Sequence, residues 1–216
     1  MNVLYEDSDI ILCEKPAGVL SQNAETGENM PRLLQKYFEE NGEKASAFCV
    51  HRLDREVGGV MVFAKNQKSA AALSSLVSNG EMHKYYLAAA QGKPQEDAGE
   101  LRDLLFKDSR RNKSFVVERM RKGVKEAVLR YRLLDYNEEN DLSLLRIELL
   151  TGRTHQIRVQ FSSRKMPLLG DRKYGGRDGK CGIALWSNRL KFSLNQKAFD
   201  FECPPPTESP WNLFEF

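Results

Sequence analysis

The string His51-Arg52-Leu53-Asp54-Arg55-Glu56, followed by Gly58-Gly59 and a β-rich run, is the densest knot of reactive groups in this 216-residue chain. An acid set between two arginines, just before a glycine pair, suits a loop that offers one carboxylate in a basic pocket. Neighbouring guanidinium groups hold such an acid ionised, as a nucleophile or an electrostatic catalyst needs. An ordinary surface ion-pair cluster has the same composition, and the string alone does not separate the two. A second knot runs from Leu150 to Val159 (LTGRTHQIRV). There Thr151-Gly152 ends a strand and Thr154 is placed to cap a short amphipathic helix reaching about Ser163. On that helix Arg158 shares a face with Thr154, four positions back, and with His155, three back. An arginine projecting from it could reach a carboxylate of another segment. A polar helix face carrying spaced pairs reads the same way.

Taken together and in order, the motifs resemble a known family. H-R-L-D at 51–54, T-G-R-T-H-Q-I-R at 151–158 and L-G-D-x-x-Y-G at 169–175 are similar to the signature of the RluA-type RNA pseudouridine synthases. Lys15-Pro16-Ala17-Gly18 and Lys84-Tyr85-Tyr86 fit the same pattern. So does the closing run from Ile183-Ala184-Leu185 through Leu190-Lys191-Phe192 to Phe201-Glu202-Cys203-Pro204. The resemblance spans about residues 3 to 206. Val57-Gly58-Gly59 stands where the family usually has Thr-Ser-Gly, which removes two hydroxyls and keeps the turn glycine. Trp186 stands near a position where many relatives carry His.

The resemblance implies an RNA uridine isomerase with no cofactor and no metal. Such a reaction detaches uracil from its ribose, turns it, and rejoins it through carbon. It needs one carboxylate, confinement of the loose base and a proton acceptor, whereas a glycosidase needs two carboxylates around a water. By similarity Asp54 is the catalytic carboxylate. Arg158 is its ion-pair partner within salt-bridge reach, with Arg153 as the runner-up. Tyr86 lies against the target base, packing on it and mediating proton transfer. Ile157 forms an apolar wall, with an ordinary core residue as the alternative, and Arg52 enters the RNA stack where the target nucleotide leaves. His51, Arg55, Arg153 and His155 complete the RNA- and base-binding set. Extruding a uridine costs a few kcal/mol, which phosphate contacts offset. The implied partner is a structured RNA, ribosomal or transfer, acted on by a cytoplasmic monomer. A catalytically silent RNA-binding or ribosome-assembly protein on the same fold is the competing reading. Retention of Asp54, Tyr86 and Arg158 together argues against it.

Around these residues the periodicity predicts helices at 30–40 and 67–79. It predicts strands at 2–5, 9–14, 58–65, 84–91, 101–106, 113–118, 126–136 and 142–150, and near 181–186, 190–194 and 198–202. Many strands without regular βαβ alternation mean α+β. The expected fold is a single pseudouridine-synthase-like domain over residues 1–216, with a mixed, mainly antiparallel sheet, a central cleft, and no separate N-terminal RNA-binding module. Apolar residues make up 41% of the chain and mean hydropathy is −0.54, which excludes a disordered chain. No apolar run approaches the roughly 20 residues of a membrane span, and the start lacks the order of a signal peptide. Net charge is only +3, but it is sorted: segment 101–132 carries net +7, segment 146–180 net +6 and segment 1–47 net −5. One face suited to a polyanion follows from that sorting, and ordinary solvated surface is the alternative. Cys13, Cys49, Cys181 and Cys203 lack any metal-ligand spacing and read as free, mostly buried thiols.

Overall fold

The computed structural model describes residues 2–177 and 182–215. The elements run β1 (Val3–Glu6), β2 (Ile10–Lys15), α1 (Met30–Glu40), β3 (Phe48–Cys49), β4 (Gly58–Ala64), α2 (Gln67–Asn79), β5 (His83–Gln91), β6 (Ala98–Asp108) and β7 (Lys113–Val117). They continue with β8 (Val124–Asn137), β9 (Leu142–Leu149), α3 (Gln156–Ser163), β10 (Leu185–Leu194) and β11 (Lys197–Glu202). The fold is α+β. Backbone contacts gather into two compact units, each discontinuous in sequence: Met1–His83 with Ser187–Pro204, and Lys84–Trp186 with Pro205–Phe216.

The first unit is built on strands in the order β1-β2-β4-β10, with β11 paired to β10 and the two-residue β3 paired to β4. The pairs β1–β2, β2–β4, β3–β4 and β10–β11 are antiparallel. All seven residues of β4 are buried, as expected of a strand with neighbours on both edges and cover on both faces. Its second residue, Gly59, sits at φ +116°, and a Cβ there would run into the Ser187 carbonyl, so only glycine fits. Helix α1 starts where Asn29 Oδ1 accepts from Arg32 N at 3.1 Å, with Pro31 in its first turn. Met30, Leu34 and Phe38, four apart, form its fully buried stripe. Helix α2 is capped by Asn66, whose Oδ1 accepts from Ser69 N at 2.9 Å, and is stopped by left-handed Gly80.

The second unit is built on an antiparallel sheet in the order β5-β9-β8-β6-β7. The pairs β6–β7 and β8–β9 join neighbours in the chain, whereas β5 pairs with β9 and β6 with β8 across intervening strands. Leu129, Leu144, Leu145 and Ile147 are fully buried on this sheet.

Three expectations need correction. The last helix begins at Gln156, not Thr154, so Thr154 neither caps it nor shares a face with Arg158; its carbonyl instead accepts from Ser114 Oγ at 2.6 Å. That helix is also not amphipathic: Gln156 to Phe161 are all buried. The separate strands expected near 181–186 and 190–194 are one strand, β10, although residue 181 lies outside the described residues. Ser187 joins its halves because Ser187 Oγ donates to Val60 O at 3.1 Å, giving a polar residue a place inside the sheet. Among the described residues no helix is long and apolar enough to cross a membrane.

Candidate active site

In the first unit, Asp54 sits half-buried on the loop between β3 and β4. The backbone of that loop is tied to the segment following β2 at several points. Ser21 Oγ donates to Leu53 O at 2.8 Å and accepts from Leu53 N at 3.0 Å. Gly18 N donates to Arg55 O at 2.8 Å, and Arg55 Nε returns a bond to Gly18 O at 2.9 Å. A turn closes where Val57 N reaches Asp54 O at 3.1 Å. The strongest tie is Lys15. It is fully buried, and its ammonium donates to Pro16 O at 2.9 Å, Val19 O at 2.7 Å and Arg55 O at 3.0 Å. Burial pulls its pKa down from 10.5 to about 8, against the opposing pull of the Glu56 and Asp54 charges.

The arginines of this loop turn elsewhere. Arg52 is exposed, with Nη1 bonded to Gln22 Oε1 at 3.2 Å, and Arg55 is exposed on Gly18. His51 is buried, and its Nε2 accepts from Val62 N at 3.1 Å, which orients the ring toward β4. Burial pushes the thiols of Cys13 and Cys49 up to about 12 and about 11, which makes both inert near neutral pH. Cys203 is also a free buried thiol, and Cys181 lies outside the described residues.

In the second unit, Tyr86 lies on β5 opposite Ile147 of β9 and is buried. Tyr85 faces the other side of the sheet, with its hydroxyl 3.4 Å from Glu148 Oε1. The turn into α3 carries the second knot, and a carboxamide organises it where a capping hydroxyl was expected. Gln156 Oε1 accepts from Arg153 N at 3.0 Å and from Thr151 Oγ1 at 2.8 Å, while Gln156 Nε2 donates to Val128 O at 3.1 Å. Arg153 is half-buried and spends its Nε on Glu126 O at 2.8 Å. His155 precedes the helix in the left-handed region, φ 52°, a conformation costly for a non-glycine residue and held here by its surroundings. Its Nδ1 lies 3.0 Å from the Tyr174 hydroxyl. Ile157 and Arg158 follow, both buried.

Arg158 is forked onto Asp171: Nε to Oδ2 at 2.7 Å and Nη2 to Oδ1 at 2.8 Å, with the carboxylate fully buried. The guanidinium also lies over the Tyr174 ring, 5.2 Å from its centroid. Sequence reasoning gave no role to Lys15, Ser21, Gln156, Asp171 or Tyr174. The signal for four of them was present in the K-P-A-G, T-H-Q and L-G-D-x-x-Y-G strings; Ser21 had none. Asp54 with its loop belongs to the first unit, and Tyr86, Arg153, His155, Ile157 and Arg158 to the second. Among the described residues no group of three or more His, Cys, Asp or Glu side chains is placed to hold a metal ion.

A family model described as RNA pseudouridylate synthase matches residues 9–163. An uncharacterized RNA pseudouridine synthase of Aquifex aeolicus is 34% identical over all of this chain and 68% of its own length. A ribosomal large subunit pseudouridine synthase D of Borreliella burgdorferi is 32% identical over 91% of this chain and 62% of its own. The chain spans only 58% of the length of an uncharacterized RNA pseudouridine synthase of Bacillus subtilis, to which it is 33% identical. Among solved structures, human RNA pseudouridylate synthase domain containing 4 superposes with a TM-score of 0.81 at 21% identity, over 98% of this chain and 90% of that one, a likeness of fold.

Proposed function

Because the chain belongs to the RNA pseudouridylate synthase family, in its RluA-type branch, we propose that it isomerises uridine within a structured RNA, with Asp54 as the reacting carboxylate. The bond between N1 of uracil and C1′ of ribose breaks, and a bond between C5 and C1′ forms. C5 gives up its proton and N1 gains one, so no oxidant, phosphate donor or external water takes part. Asp54 meets the nucleotide as the base detaches. In this reading Arg158 is the ion-pair partner that aims the carboxylate. Tyr86 packs on the loose base and relays the C5 proton. Arg52 takes the place in the RNA stack that the extruded uridine leaves, while His51, Arg55, Arg153, His155 and Ile157 line the remainder. The family segment 9–163 includes residues of both units.

The observation that carries this reading is the suspension of the 51–57 loop. Lys15 and Ser21 fix the backbone on either side of Asp54, while Arg52 and Arg55 turn to Gln22 and Gly18. A surface ion-pair cluster needs no such scaffolding; a carboxylate that must meet one carbon atom does.

The test is Asp54→Asn. Release of the C5 proton, followed as tritium from C5-labelled uridine in RNA, should fall below detection. Affinity for the same RNA should stay within about twofold, because phosphate contacts dominate it. Turnover retained in this variant sinks the assignment. A wild-type protein that binds RNA and releases no C5 proton from ribosomal or transfer RNA favours the silent binding protein instead.

A further inference from the structure

We propose that Asp171 is the positioning residue of this site, gripping Arg158 by one edge of its guanidinium so that the other edge is presented in a fixed orientation. The proposal rests on the role given to Arg158 above and adds to it a residue that acts through Arg158 alone.

The geometry is that of a clamp. A guanidinium is planar and offers hydrogens along more than one edge. Asp171 engages the Nε–Nη2 edge at two points, 2.7 and 2.8 Å. Two bonds fix the plane of the group, whereas a single bond would let it swing about its Cδ–Nε axis. Tyr174 closes one face, its ring centroid 5.2 Å from the guanidinium carbon. That ring is itself immobilised. Its hydroxyl accepts from Ser114 N at 2.8 Å, and its carbonyl accepts from Ser162 Oγ at 2.6 Å.

The turn that carries Asp171 is equally constrained. Asp171 N donates to Leu168 O at 3.1 Å, and its own carbonyl accepts from Tyr174 N at 3.1 Å and from Gly176 N at 2.8 Å. A Cβ on Gly176 would collide with the Leu168 carbonyl, so this turn closes only around glycine. A surface ion pair has no use for this much fixed backbone. The charge arithmetic points the same way. A lone buried guanidinium is costly, and Asp171 balances it within its own unit.

The experiment uses Asp171→Asn in the whole chain. Nitrogen-edited spectra of the wild type should contain a slowly exchanging Arg Nε–H resonance that Arg158→Gln removes. In Asp171→Asn this resonance should also vanish while the backbone amide spectrum persists. Single-turnover pseudouridine formation should fall about 100-fold, the loss expected of a misaligned group, with RNA affinity within about twofold. The loss should fall on the rate constant at saturating RNA and leave the RNA concentration at half-saturation unchanged, a split that a merely structural loss would not give. A folded Asp171→Asn protein that keeps the Nε–H resonance, or reacts within about threefold of wild type, overturns the proposal.

If Asp171→Asn does not fold, the double variant Arg158→Gln with Asp171→Asn replaces the ion pair by two amides able to bond each other. Its rate should equal that of Arg158→Gln alone, since a residue acting only through Arg158 adds no further loss. A double variant markedly slower than Arg158→Gln overturns the proposal as well. If wild type makes no pseudouridine, the proposed activity fails, and the Nε–H resonance still decides whether Asp171 holds Arg158.

Discussion

Lys15 places an ammonium in the interior of the first unit on three carbonyl oxygens, one of them the carbonyl next to Asp54. Its pKa near 8 has two opposite consequences. Between about pH 8 and 10.5 the unfolded chain holds this proton more tightly than the folded one, so the contribution of this group to stability rises with pH across that window. Meanwhile the clamp weakens, because a neutral amine has two hydrogens for three carbonyls. Single-turnover rate should therefore fall as pH passes about 8, while the urea midpoint shows no matching fall. Lys15→Met should be slower at pH 7 and should lose that alkaline limb. A wild-type rate that stays flat to pH 9.5 would refute the link. In the sequence Lys15 was one letter of a family motif. Its burial and its reach to Arg55, forty positions on, are properties of the folded loop and leave no trace in local spacing.

At the scale of elements, legibility followed the range of the forces involved. Helices α1 and α2 were readable to their ends because everything that defines them is local: an Asn cap, a four-residue apolar repeat, and an Asn or Gly stop. The start of α3 was misread because Gln156 organises it, its Oε1 accepting from Arg153 N while its Nε2 is anchored on Val128 O, twenty-eight positions away. The middle of β10 was misread because Ser187-Asn188-Arg189 looks like a break when its neighbour β4 is not in view. Strand β3, at two residues, is too short for any periodicity to register. The closeness of β4 and β10 makes a prediction. Gly59→Ala must fit a Cβ into the Ser187 carbonyl at φ +116°, and should cost about 2–4 kcal/mol. Chemical denaturation should show a lowered midpoint with unchanged slope, and a loss under about 0.5 kcal/mol would mean that the strands separate easily.

For the whole molecule, the sorting of charge was legible in the sequence and its arrangement was not. The basic residues of segment 101–132 cluster around β7, on the turn before it (Arg110, Arg111) and the loop after it (Arg119, Arg121, Lys122), all exposed. Arg121 also lies over the Phe106 ring at 5.0 Å, and Met120 beside it is 62% exposed. Replacing Arg119, Arg121 and Lys122 by Glu should weaken RNA binding and flatten its salt dependence. Each lost phosphate contact should reduce the slope of log K against log salt by about 0.7–0.9. An unchanged slope would assign the polyanion-binding face to another part of the surface.

The discontinuity of the two units carries a consequence for synthesis. Strands β5 to β9 follow one another in the chain and can pair once β9 has left the ribosome. The first unit cannot close then, because β4 waits for β10, which is made only after all five of those strands. At about 5–20 residues per second the wait is on the order of ten seconds. Throughout it, a strand whose seven residues are all destined for the interior has only the two-residue β3 against one of its edges. The unit that carries Asp54 thus starts first and still waits for strands made after β5 to β9.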